Sequence, residues 1–84
     1  MSAEIASSTS VQTVYIPLLN EGTSVVRPTQ GVKVGENLYR VLPTKDYDPN
    51  EEEWEFPPGT IVECVLEVRN GKEVLVARRR ASGV

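Results

Sequence analysis

The chain predicts an all-β domain, a small five-stranded barrel or a curled antiparallel sheet. Three observations point there. Apolar residues recur at every second position in several short runs. Gly and Pro turns separate those runs, and no segment holds a helical period long enough for a helix. With 84 residues there is room for one domain, expected over 13–80 with flexible ends at 1–12 and 81–84. A chain of this size buries only about 60–65% of the surface its unfolded form exposes, so its core is thin.

Residues 13–19 (TVYIPLL) alternate, with Val14, Ile16 and Leu18 on one face and Thr13, Tyr15 and Pro17 on the other. Pro17 cannot donate a ladder hydrogen bond, which predicts an edge position or an early end. Asn20-Glu21-Gly22 reads as a turn, and 23–29 (TSVVRPT) as a second strand limited by Pro28. Gln30-Gly31 reads as a further turn before a short strand at 32–34. Gly35-Glu36-Asn37 then leads into a strand at 38–42. Residues 43–58 contain four prolines and no period, which predicts a long excursion with at most a short extended piece around Trp54. Loops this long in a small domain are usually functional or mobile.

The best strands are 60–69 and 72–79, joined by Asn70-Gly71. Both turn residues tolerate the positive φ angles of a type I′ hairpin. A two-residue loop pairs Arg69 with Lys72, Leu66 with Leu75, Cys64 with Ala77 and Glu63 with Arg78. Val62, Cys64, Leu66, Val68, Leu75 and Ala77 then share one face, expected to be core. Val65 and Val76 stand opposite each other on the other face.

Composition narrows the function classes. A net charge of -3 disfavours a nucleic-acid footprint spread over the whole domain. No His is present, which removes the commonest general base and metal ligand. Cys64 stands alone, so no internal disulfide forms, and at mid-strand it reads as a small buried hydrophobe. The sequence therefore predicts no enzyme, no cofactor and no metal. MSAEIASSTS lacks a basic region followed by an apolar stretch, so the expected location is cytoplasmic, with no membrane anchor.

The concentrated chemistry lies in KDYDPNEEEWEFPPGTIVEC. Asp46, Asp48 and Asn50 match the first ligands of a calcium-binding EF-hand loop, but Glu51 stands where that loop needs Gly and Pro57 where it needs Glu. Trp54 and Phe56 alternate with Glu53 and Glu55. Either both rings cap the open end of the barrel, or they form a platform ringed by carboxylates for a Lys or Arg side chain. The expected partner surface is Tyr47, Asp48, Glu51, Glu52, Glu53, Trp54 and Phe56, with Trp54 at least partly accessible. Its expected partner is a basic or proline-rich protein segment. The alternative is nucleic-acid contact through Arg27, Arg78, Arg79 and Arg80, although Arg78 to Arg80 also suit a strand edge protected by charge.

Two resemblances arise from these residues. Tyr47, Trp54, Phe56, Gly59, Ile61 and Val62 are similar to the run in Src-homology-three domains where an aromatic motif leads through an acidic loop to an Ile/Val-rich strand. That resemblance implies a barrel and a groove for proline-rich, basic-flanked peptides. The chain departs from the family pattern at Val74-Leu75, where a Trp is expected, at Lys45, where an aromatic is usual, and in lacking a terminal Pro-x-x-Tyr. The segments LLNEGTSVVRP and WEFPPG also resemble those of a group of small bacterial proteins, a likeness that implies no activity. It singles out Glu21, Gly22, Thr23, Arg27 and Pro28, then 54–59. Arg27 has no local structural reason and is expected to pair with the acidic loop.

Overall fold

Six strands build the structure, a computed structural model that describes residues 11–21 and 25–81. They are β1 (Val11–Leu19), β2 (Val26–Gly35), β3 (Leu38–Val41), β4 (Glu53–Trp54), β5 (Ile61–Arg69) and β6 (Lys72–Arg80). Five of these build the ring, and β4 is a two-residue bridge inside the excursion. Among the described residues no helix is long and apolar enough to cross a membrane. The sheet runs β2-β3-β5-β6-β1-β4, and an additional β1–β2 pairing curls it into an unevenly closed barrel.

The joint between the first and last strands of the ring, β1 and β6, is parallel: Val14 pairs with Leu75 and Tyr15 with Val76. Parity explains this. Five strands that alternate in direction leave the last running the same way as the first, so the joint between them must be parallel. β4 attaches antiparallel to the far end of β1, through Leu18 with Trp54 and Leu19 with Glu53.

Pro17 does not end its strand or leave it at an edge. Its carbonyl accepts the Glu55 N–H, while the Leu18 N–H reaches the Val25 carbonyl, both at 2.9 Å. Alternation thus aims the missing Pro17 donor at the point where β1 passes from β6 to β4, and no ladder bond is lost. Pro28 points away from β1 in the same way, beyond the last β2–β3 pair at Gly31 and Val41.

Gln30-Gly31 is not a turn either, and β2 runs straight through it. A Cβ on Gly31 would lie 3.1 Å from Val14 Cγ2 and 3.3 Å from Tyr39 Cβ. This glycine is a close-approach residue inside the barrel. Of the residues expected in the preceding turn and strand, Gly22, Thr23 and Ser24 lie outside those described, as do 1–10 and 82–84. β1 begins at Val11, two residues before the expected start.

The core gathers Val14, Ile16, Tyr39, Val41, Val62, Cys64 and Ala77 from the strands, with Trp54 and Phe56 from the excursion. Among the described residues Thr29 is the buried polar one, and its hydroxyl donates to the Leu42 carbonyl at 2.6 Å. Burial also pushes the Cys64 thiol up to about 11, so it is an inert core group.

The hairpin has the expected turn, with Asn70 and Gly71 both at positive φ. Its register matches at Arg69–Lys72, Leu66–Leu75 and Cys64–Ala77. Glu63, however, faces Arg79 instead of Arg78, because a bulge beside Cys64 leaves Arg78 as an extra residue on β6. The expected core face is half right. Val62 and Cys64 are buried, but Leu66 and Val68 are 63% and 71% exposed. They lie past the last β3–β5 pair, Leu38 with Glu63, where among the described residues no strand remains to cover them. Val76 on the opposite face is fully buried between its register neighbours, Tyr15 on β1 and Val65 on β5.

Candidate functional site: the acidic loop and its cleft

The long excursion is a chain of tight turns. The Tyr47 N–H bonds the Thr44 carbonyl at 3.1 Å and the Glu51 N–H bonds the Asp48 carbonyl at 2.9 Å. Asp48-Pro49-Asn50-Glu51 is suited to this. Pro49 presets φ at the second turn position, and Asp48 Oδ1 accepts the Asn50 N–H at 2.9 Å. Pro57-Pro58-Gly59-Thr60 closes the loop, with the Thr60 N–H on the Pro57 carbonyl at 3.1 Å. Gly59 has φ of 95°, which the third position of a type II turn requires.

These turns drive the two rings inward. Trp54 is 4% exposed and Phe56 5%, so the arrangement that caps the barrel is the one formed. The expectation that Trp54 is partly accessible fails, and no open aromatic platform exists. The reason is the thin core, which needs its large apolar side chains. Tyr47, half-buried, meets the Trp54 ring edge-on at a centroid distance of 4.6 Å.

Above this lid the carboxylates divide into engaged and free. Glu52 Oε1 accepts from Trp54 Nε1 at 3.2 Å and from Arg27 Nε at 3.1 Å, while its Oε2 takes Arg27 Nη2. This fork is the expected pairing of Arg27 with the loop. The guanidinium hydrogen bond holds the Glu52 carboxyl below the usual carboxylate range and raises Arg27 in turn. Glu53 is engaged by the Asn20 side-chain amide. Asp46, Asp48 and Glu51 make no salt bridge among the described residues.

These three carboxylates line one cleft. A cleft of about 240 Å³ is lined by Arg27, Pro28, Thr44 and the side of the loop carrying Asp46, Asp48, Glu51 and Glu52. The partner surface expected from the sequence includes Asp48, Glu51 and Glu52 but leaves out Asp46, Thr44 and Pro28. The signal for Pro28 was present in its neighbour Arg27, since a cation bound to the loop brings its own strand alongside. Glu53 points to Asn20 instead, and Trp54 and Phe56 lie beneath. Among the described residues, no three carboxylates or thiols converge closely enough to hold a metal ion.

The arginines considered for nucleic acid do not form one open patch. Arg27 belongs to the acidic cleft. Arg78 is bound to Glu67 and Arg79 to Glu63, and each pair holds its carboxyl below the usual range. Arg80 is exposed and makes no salt bridge among the described residues. No protein-family model matches the chain, and no curated protein or solved structure matches it either.

Proposed function

We propose that this domain is a non-catalytic, cytoplasmic interaction module of SH3-like build that binds a basic protein segment at the acidic cleft. The observation that carries the reading is the imbalance within the cleft. Its one arginine is already taken by Glu52, leaving Asp46, Asp48 and Glu51 without a cation. A Lys or Arg side chain entering there gains two or three carboxylates on a surface that tight turns have already ordered, which lowers the cost of binding. A proline-rich ligand has less support, because docking of that kind uses accessible aromatic rings and Trp54 and Phe56 are enclosed. Nucleic-acid contact through Arg27, Arg78, Arg79 and Arg80 has less support again, since three of the four are neutralised by their own carboxylates.

Calorimetric titration with a short oligolysine peptide tests the reading. Binding should saturate and should weaken as salt rises. The double variant Asp46→Lys, Glu51→Lys should lose affinity by roughly tenfold. Its melting temperature should stay close to that of the parent, because exposed charges usually change stability by under about 0.5 kcal/mol. No measurable heat, or equal affinity in the reversed variant, would remove the proposal. Stronger, salt-sensitive binding to a single-stranded oligonucleotide would favour the arginine reading instead.

A further inference from the structure

The outer edge of β5 is open where its side chains are most apolar. The Cys64 N–H bonds the Asn37 carbonyl at 2.9 Å, so Cys64 faces the β3 side of the strand. Backbone alternation then aims the N–H and C=O of Leu66 and Val68 to that same side, while Glu67 and Arg69 face β6. Pairing with β3 stops at Glu63, so among the described residues no strand meets Leu66 or Val68 there. These two side chains are also the most exposed of the large hydrophobics, at 63% and 71%. An unpaired edge with exposed apolar side chains is a template for another strand.

We propose that β5 is a self-association edge, at which two copies of this chain pair antiparallel about Val68. Three registers are available within the open stretch, and charge and space separate them. Pairing about Glu67 sets two like carboxylates face to face, which is unfavourable. Pairing about Leu66 drives the second copy into the Asn37 turn that already holds Cys64. Pairing about Val68 avoids both. Each Glu67, which also holds its own Arg78, then stands opposite Arg69 of the second copy, and the two Val68 residues exchange backbone hydrogen bonds. Arg69 can serve a second carboxylate: its side chain is partly exposed, and its Nη2 lies as far as 3.4 Å from its own Glu67. A guanidinium has five donors, so some remain to be used. Overlap limited to the end of β5 beyond β3 makes a small interface, hence a weak dimer that forms at high concentration.

Sedimentation equilibrium of the full chain, carried to millimolar concentration, should show this monomer–dimer equilibrium. Arg69→Glu alone should be monomeric, and so should Glu67→Arg alone. Mixed one to one, the two variants should form a heterodimer, because each then presents the charge the other lacks. Val68→Pro removes the outward N–H without touching the β5–β6 ladder, and should be a folded monomer by circular dichroism. A wild type that stays monomeric overturns the proposal. So do single charge variants that dimerise like wild type, a mixture that does not associate, or a folded Val68→Pro that still dimerises. Should Val68→Pro fail to fold, the charge-swapped pair decides alone.

Discussion

Val62 and Cys64 share one face of β5 with Leu66 and Val68, at the same two-residue spacing. The first pair is 0% and 2% exposed, the second 63% and 71%. Alternation assigns a side chain to a face of the strand, and it did so correctly for all four. Whether that face is covered depends on the length of the neighbours. β3 has only four residues and stops opposite Glu63. Trp54 shows the converse. It stands in a proline-rich excursion of poor strand character, yet the turns on either side place it deeper than Leu66 in the best strand of the chain.

The contrast is sharpest at the lid. Trp54→Ala should destabilise the fold by about 3–5 kcal/mol, since it removes the largest enclosed ring and the donor to Glu52. For a domain this small that is a large part of its total stability. Denaturant unfolding would measure it, and a loss under 1 kcal/mol would show that the lid does not belong to the core. Val62→Ala should cost about 2 kcal/mol by the same measurement, from the loss of a fully buried aliphatic side chain. If Val62 proves as tolerant as Val68, the division of β5 into covered and open halves is mistaken.

The Arg27–Glu52 fork should contribute less, on the order of 0–1 kcal/mol, because both side chains are partly exposed. Its sign follows from the lowered Glu52 carboxyl. The contribution is complete above the ordinary carboxylate value of 4.5 and is lost as pH falls through the lower folded value. Melting temperature should therefore decline in that acid range, and Glu52→Gln should reduce the slope; an unchanged slope would mean the fork is energetically silent. Smallest of all, Val68→Ala should change monomer stability by under about 0.5 kcal/mol. A larger loss in dilute solution would mean that the open half of β5 is covered after all.

Much of the fold was legible because its signals are local. Asn70-Gly71 specified its turn, Pro58-Gly59 closed the excursion, and alternation located β1, β5 and β6. What escaped was set by contacts distant in sequence. Gly31 looks like a turn residue until Val14 and Tyr39 are seen against it. Pro17 looks like a strand end until its missing donor is found to face the handover from β6 to β4. The bulge that shifts Arg79 onto Glu63 has no marker in the residues themselves. At the site, pairing of Arg27 with the loop was foreseeable from a cation lacking any local role. The enclosure of Trp54 and Phe56 was left open because alternation along a loop does not say which side is inside.

The parallel joint between β1 and β6 has a consequence for the order of events in folding. Its two residue pairs link positions about sixty residues apart, whereas the β5–β6 ladder is closed by a two-residue turn. Closing so long a loop is entropically unfavourable until the intervening strands have brought the ends together. The hairpin can therefore form early, with the seam zipping late as the rate-limiting step of a chain rich in distant pairings. Run in reverse, the barrel opens like a cuff at its clasp: β1 swings from β6 while every antiparallel ladder still holds, and the first amides to lose protection are those of the seam.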